Sequence, residues 1–310
     1  MSRQIGVVGL GKIGLGVTRR WLRAGFSVVG LDTAAAAREA AERAGARVVA
    51  SLGGLVTALG PPRVVWLVLP AGRAVTEVVE ALGEALTAGD LVVDGGNSDY
   101  RDSLVHAAAL ERRRIGFLDV GTSGGIHGEE QGFCLMVGGA EELVERVRPL
   151  LEALAPGRDR GWGRVGTTGA GHFAKMVHNG IEYGLMQAYA EGFAILDARD
   201  DLELVPQRIA GIWREGSIIR SWLLDLVAEC LEEPETLAGI APHVADSGLG
   251  RAAVREAIDL GVPAPVITAS LLQRLRSRSE GGFTERLLAG LRRQFGGHAV
   301  EPALGSDPGK

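Results

Sequence analysis

Lys175, His178, Asn179, Glu182 and Tyr183 carry the side chains that proton transfer and hydrogen bonding require. Their spacing of i, i+3, i+4, i+7 and i+8 places them on one face of a helix. A helix packed on a core carries apolar residues at such positions. Here the apolar residues are the others, Met176, Val177, Ile181, Leu185 and Met186. A solvated face is the plain alternative, but such faces are usually mixtures of Glu, Lys and Arg. Gly180 and Gly184 each cost about 1 kcal/mol of helix stability relative to alanine, which implies that something packs close to them. The stripe reads as the wall of an active site: an amine for a base, a carboxyl group for an acid, and imidazole, amide and phenol groups to orient a ligand.

A second constellation stands at the amino end. Gly9-Leu10-Gly11-Lys12-Ile13-Gly14 fits G-x-G-x-x-G. Chance matches are common in a chain with 46 glycines, and a plain tight turn is the bland reading. Position decides against it: the motif follows the strand-like run Ile5–Gly9 and opens a helix, as a dinucleotide fingerprint must. Glycine lets the backbone approach a pyrophosphate, whose charge then lies at the positive end of a helix. Asp32 ends the next run, Val28–Asp32, where a carboxylate accepts hydrogen bonds from the adenosine ribose hydroxyls; Asp is also a good helix cap. A 2′-phosphate there meets a like charge, a repulsion of roughly 4 kcal/mol at ~4 Å as an upper-end figure. Thr33 and the four alanines after it supply no offsetting cation, and Arg38 is expected to be solvated. NAD is therefore expected over NADP.

These sites need elements to hold them. Ile5–Gly9, Val28–Asp32, Val64–Leu69, Leu91–Asp94, Phe117–Val120 and Cys134–Val137 read as strands. They alternate with helical stretches such as Thr33–Ala44, Ala74–Leu86 and Asp102–Arg113. Near-continuous apolar strands separated by helices indicate a doubly wound α/β sheet of Rossmann type, covered on both faces. Past Val165 the pattern is helical, with one long helix from Ala170 to about Ala198. The chain thus reads as a dinucleotide-binding domain over 1–165, an all-helical substrate and dimerisation domain over 166–300, and a tail, 301–310, expected to be disordered. Two glycine-rich segments, Asp94-Gly95-Gly96-Asn97-Ser98 and Gly121-Thr122-Ser123-Gly124-Gly125, follow strands. Both should border the nicotinamide end of the cofactor, beyond the carboxyl ends of the sheet. Asn97 and Ser123 offer hydrogen bonds there, and bare glycine amides can bind a carboxylate or oxyanion.

Bulk properties narrow the classes. The chain has 310 residues and a net charge of −5, so nothing global recruits nucleic acid or an anionic membrane. Cys134 and Cys230 lie far apart, without metal-ligand or redox spacing, and are expected to be reduced apolar fillers. No metal is called for. The start of the sequence lacks an apolar signal core, and no run of about 18 apolar residues spans a bilayer. A cytoplasmic protein is expected.

The motifs resemble those of 6-phosphogluconate dehydrogenase. The resemblance covers the chain from Gly9 to His298, and Asp94–Ser98, Ser123-Gly124-Gly125 and the long run Gly169–Gly184 carry it. The length is similar to the short bacterial form of that family. The Asn-Arg-Thr element that accompanies NADP preference there is replaced here by Asp32-Thr33, in agreement with the electrostatic argument for NAD. The resemblance implies 6-phosphogluconate as substrate and ribulose 5-phosphate and carbon dioxide as products. It implies Lys175 as general base, Glu182 as general acid, and Asn97, Ser123, Gly124, Gly125, His178, Asn179 and Tyr183 as substrate contacts. Arg274, Arg292 and His298 fall where the family holds the substrate phosphate, the last two commonly across a dimer interface, so a homodimer or homotetramer is expected. In Asp246–Arg251 the long enzyme's phosphate-contacting Lys and Thr are replaced by Ser247 and Leu249, a departure that bears on the tail group.

Two other readings stand beside this one. A β-hydroxyacid dehydrogenase acting on a small unphosphorylated acid such as 3-hydroxyisobutyrate would share the glycine fingerprint, Ser123–Gly125, Lys175 and Asn179. The Asp94–Ser98 loop, the His178–Tyr183 run and the C-terminal Arg and His residues argue against it. A non-catalytic dinucleotide sensor would be favoured by loss of Lys175 or Glu182, and both are present.

Overall fold

The computed structural model describes residues 3–232, 239–246 and 248–278. Eight strands form one sheet: β1 (Gln4–Val8), β2 (Ser27–Leu31), β3 (Arg47–Val48), β4 (Val64–Leu67), β5 (Leu91–Asp94), β6 (Gly116–Ser123), β7 (Cys134–Gly138) and β8 (Trp162–Gly166). Their spatial order is β3-β2-β1-β4-β5-β6-β7-β8. All neighbours are parallel except β6 and β7, which are antiparallel. The central strands β4 and β5 are buried throughout, as a sheet covered on both faces requires. The helices α1 (Lys12–Arg23), α2 (Ala35–Arg43), α3 (Leu52–Ala58), α4 (Arg73–Ala85), α5 (Tyr100–Glu111), α6 (Gly128–Gln131) and α7 (Glu141–Leu154) lie between strands. Apolar clusters occupy both faces of the sheet, one built around Trp21 and Trp66, the other around Leu55, Leu67 and Leu82. The two indoles meet edge to face at 5.1 Å, and the Trp21 Nε1–H donates to the Leu150 carbonyl.

Four features differ from expectation. β3 and β8 join the sheet although neither shows an apolar run: β3 has two residues, and β8 reads Trp-Gly-Arg-Val-Gly. β6 continues through Gly121, Thr122 and Ser123, which therefore end a strand instead of forming a loop after it. Antiparallel pairing with Met136, Leu135 and Cys134 holds them in register. The reversal at β7 makes the sheet mixed. Cys134 and Cys230 are exposed, not apolar fillers; strand alternation turns Cys134 away from the core that takes Leu135 and Val137.

The chain divides into two compact units between Asn179 and Gly180, inside the long helix α8 (Ala170–Asp197). The second unit is helical among its described residues: α9 (Pro206–Arg214), α10 (Trp222–Glu232) and the helices Leu249–Asp259 and Pro265–Arg276. Pro206 and Pro265 stand in the first turn of their helices, where the missing N–H is no loss. No helix among the described residues is long and apolar enough to cross a membrane.

One buried carboxylate ties the turn before β5 to the turn before β4. Asp90 is 1% exposed and accepts hydrogen bonds from the amides of Arg63 (2.6 Å) and Thr87 (2.9 Å) and from the Arg63 guanidinium (3.0 Å). Burial opposes its ionisation, yet those hydrogen bonds and the charge of Arg63 prevail and hold its pKa below the ordinary value. A depressed carboxyl pKa stabilises the fold fully above the unfolded value of about 3.9, and that stabilisation is lost as pH falls through the folded value. Asp90→Asn is expected to lower stability by about 2 kcal/mol at pH 6. Its urea midpoint should converge on that of the wild type as pH is taken below the depressed folded-state value of Asp90.

Candidate active site

The sheet order reverses direction on either side of β1, and the crevice beyond that strand is where α/β folds bind dinucleotides. Gly9, with φ +94°, turns the chain so tightly that an added Cβ would lie 2.2 Å from the Val68 carbonyl oxygen. At Gly14 an added Cβ would lie 2.0 Å from the Gly9 oxygen, so α1 packs directly on the turn. Around Gly11 nothing lies within 4 Å, and the amino end of α1 has no side-chain cap. Open space over uncapped amides is what a pyrophosphate needs, so the residues present fit a dinucleotide. Lys12 is exposed and Ile13 half-buried, whereas the Leu10 side chain is buried beneath Gly30.

Asp32 stands just past the tip of β2, held by the amides of Leu10 (2.6 Å) and Ala34 (2.8 Å). The carboxylate thus shapes the glycine-rich turn and the start of α2. Arg38 is not simply solvated as expected. Its Nη1 donates to the carbonyls of Asp32 (2.9 Å) and Thr33 (2.8 Å), because one turn of α2 folds the side chain back over the strand end. A cation therefore stands beside Asp32.

In the first unit, the start of α8 lies on β6 and β7 in backbone contact. An added Cβ at Gly171 would lie 2.4 Å from the Met136 oxygen and 2.5 Å from the Asp119 oxygen; one at Gly121 would lie 2.4 Å from Lys175 Cβ. These glycines bring Lys175 to the end of β6, where it is 6% exposed. His178 occupies the next turn. Its Nδ1 is 3.3 Å from Lys175 Nζ and 3.3 Å from Asn179 Oδ1, and its Nε2 is 3.3 Å from Ser123 Oγ. When Lys175 donates to Nδ1, the ring carries its proton on Nε2 and donates to Ser123. The structure thus brings together Lys175, His178, Asn179 and Ser123. Gly124 and Gly125, with φ +122° and +52°, continue from Ser123. After β5, the buried Asp94 accepts from the Gly96 amide (3.1 Å) and the Ser98 hydroxyl (2.7 Å) and folds the loop so that Asn97 is exposed.

In the second unit, Tyr183 and Arg274 meet. The guanidinium lies 3.8 Å from the ring centroid, and Arg274 Nη1 donates to the Ala245 carbonyl. Gly250 gives the ring its place: an added Cβ there would approach Tyr183 Cε2 to 2.6 Å. Leu249 opens its helix after Gly248. Glu182 is half-buried. Ser247, Arg292 and His298 lie outside the described residues.

Residues 4–168 match the family profile described as the NAD binding domain of 6-phosphogluconate dehydrogenase, and residues 171–287 match that enzyme's C-terminal domain. The chain belongs to the 6-phosphogluconate dehydrogenase family. It is 45% identical over 299 residues, 96% of this chain and 98% of the relative, to a protein of Haloferax volcanii named NAD(+)-dependent, decarboxylating 6-phosphogluconate dehydrogenase. A Bacillus subtilis family member with the same description is 34% identical, with 94% of this chain aligned to 65% of that longer one. Among solved structures, 6-phosphogluconate dehydrogenase of Plasmodium falciparum superposes with a TM-score of 0.83 at 26% identity, over 98% of this chain and 67% of that one. The 3-hydroxyisobutyrate dehydrogenase of Mycobacterium tuberculosis gives 0.72 at 25% identity, over 87% and 91%.

Sequence reading passed over several residues that shape this family's site here. Asp119 is one; a carboxylate within the apolar run of β6 was the signal. Glu129 is another: Arg19 and Arg23 of α1 both pair with it, and Arg20 donates to its carbonyl and to the carbonyls of Ala153 and Ala155 at the end of α7, so the segment after Gly125 is pinned to α1. His172 is 2% exposed and bonds Ser103 Oγ at 2.7 Å, which joins α8 to the first turn of α5 behind Asn97.

Proposed function

We propose that this chain oxidises 6-phosphogluconate at C3 and removes C1 as carbon dioxide, giving ribulose 5-phosphate, with NAD as the preferred cofactor. The buried Lys175, one turn before His178 and within reach of the Ser123 strand end, carries the reading. A general base acts as the neutral amine. Lys175 accepts the proton of the C3 hydroxyl. The bound nicotinamide ring supplies the acceptor for the hydride that leaves C3. Lys175, now an ammonium, donates to the C3 oxygen as the C1–C2 bond breaks and its electron pair moves into the C2–C3 enediol. Glu182 delivers a proton to C2, the carbon that becomes C1 of the product, as the enediol collapses to the ketone. Asn97, Ser123, Gly124, Gly125, His178, Asn179 and Tyr183 orient the sugar acid. Arg274, with Arg292 and His298, is assigned to the phosphate.

Initial rates with 6-phosphogluconate, gluconate and 3-hydroxyisobutyrate test this directly. The phosphorylated acid is expected to be preferred in kcat/KM by at least ~10²-fold, the value of a few charge-assisted hydrogen bonds. Equal or better turnover of an unphosphorylated acid would contradict the assignment.

NAD preference rests on Asp32. Asp32→Asn keeps one acceptor for the Leu10 amide but removes the charge. Arg38, already beside it, then faces a 2′-phosphate unopposed. The NAD-to-NADP ratio of kcat/KM is expected to fall by ~10-fold or more. An unchanged ratio would remove Asp32 as the discriminating group.

Self-association is proposed as well. Among its described residues the second unit exposes large apolar side chains, including Ile195 (72%), Ile258 (72%) and Val266 (66%), which a partner surface would cover. Sedimentation at micromolar concentration should give a dimer or tetramer; a monomer would contradict it.

A further inference from the structure

We infer that Asp119 is a positioning residue for Lys175, an inference that rests on the reading of Lys175 as the base. Asp119 lies within the apolar strand β6, between buried Leu118 and Val120, and is 0% exposed. Such a carboxylate is costly unless its charge is met. It is met by the amino end of α8: Oδ1 accepts from the Gly169 amide (2.7 Å) and Oδ2 from the His172 amide (2.9 Å). Two donors of the first turn, which the helix itself leaves unpaired, are satisfied from a neighbouring strand.

The register of strand against helix makes this anchor matter for chemistry. Asp119, Gly121 and Ser123 alternate onto one face of β6. His172, Lys175 and His178 recur along one face of α8. Asp119 binds the His172 amide, Gly121 gives Lys175 its space, and Ser123 meets His178 Nε2. Three consecutive strand positions thus fix three consecutive helix positions, with Asp119 at the origin. A base must be held within roughly 0.5 Å of its working geometry, and a 1 Å misplacement can cost ~10²-fold in rate.

Asp119→Asn tests this, since it keeps the shape but turns an N–H₂ toward one of the two amides. The expected result is kcat lowered ~10-fold or more, with the NADH dissociation constant within about twofold of wild type. A merely structural role would lower stability and leave kcat of the folded variant unchanged, whereas a displaced Lys175 lowers kcat and spares NADH binding. Asp119→Ser, retaining a single short acceptor, should fall between the two. A folded Asp119→Asn enzyme with wild-type kcat would overturn the inference.

Amide hydrogen exchange on the wild-type protein supplies a measurement independent of variant folding and of turnover. Gly169 and His172 should exchange slowly; rates of an unprotected turn would refute the anchor. Failure of wild-type protein to reduce NAD with 6-phosphogluconate would instead strike the proposed function, leaving the exchange result to decide the anchor.

Discussion

Lys175→Met lowers kcat with 6-phosphogluconate by at least ~10²-fold, the low end for loss of a general acid–base group, while NADH binding stays within about twofold. Methionine has nearly the length of lysine and suits a position that is 6% exposed, so packing against Gly121 is retained. What disappears is the only group assigned both to take the C3 hydroxyl proton and to return it to the C3 oxygen. Lys175→Arg is expected to be nearly as slow, because guanidinium stays protonated at working pH and cannot serve as a base. Stopped-flow reduction of NAD would separate a slowed hydride step from slowed product release. Turnover near that of the wild type in either variant would remove the proposed base.

Gly121→Ala adds one methyl group and is expected to be among the most damaging small changes in the chain. Its Cβ would lie 2.4 Å from Lys175 Cβ and 2.6 Å from the Gly171 carbonyl oxygen. The first is a backbone-proximal atom and the second is backbone, so neither can swing aside. Either α8 lifts from β6 or the strand end distorts. Overpacking of this kind costs about 1–3 kcal/mol, and the accompanying shift of Lys175 should lower kcat by ~10²-fold. Thermal melting together with kcat measured well below the melting temperature tests both parts. A variant with normal stability and normal rate would mean that strand and helix are not in close contact at Gly121.

Much of the architecture was legible because it rests on periodicity. β4 and β5 are buried on both faces and read as unbroken apolar runs; α8 was placed from its first residue by the Gly169–Ala170 entry and the helical spacing after it. β3 and β8 escaped notice since pairing, rather than apolar content, makes them strands: β8 is held by four residues of β7 although only Trp162 and Val165 are strongly apolar. The same cause extended β6 to Ser123, through hydrogen bonds to β7 that a local reading cannot see.

The candidate site divides in a similar way. Lys175, His178 and Asn179 were visible as polar residues at helical spacing, and Ser123 as a hydrogen-bonding residue in a glycine-rich segment. Their meeting through His178 depends on Gly121, Gly138 and Gly171, which read as ordinary small residues until the strands and helix are stacked. Arg38 illustrates the opposite limit. Its distance along the chain implied a solvated side chain, whereas one helical turn returns it to the carbonyls of Asp32 and Thr33. Asp119 could have been noticed as a charge inside an apolar strand, but its partners, the amides of Gly169 and His172, lie 50 and 53 residues away.

Two bonds break in the proposed reaction, C3–H and C1–C2, and one measurement follows both. Purified enzyme is supplied with 6-phosphogluconate labelled with ¹³C at C1 and with NAD, and NADH and labelled carbon dioxide are counted over the same interval. Equal amounts of the two are predicted. NADH that accumulates while the label stays in the sugar acid would contradict the account, because oxidation would then proceed without the bond cleavage assigned to Lys175.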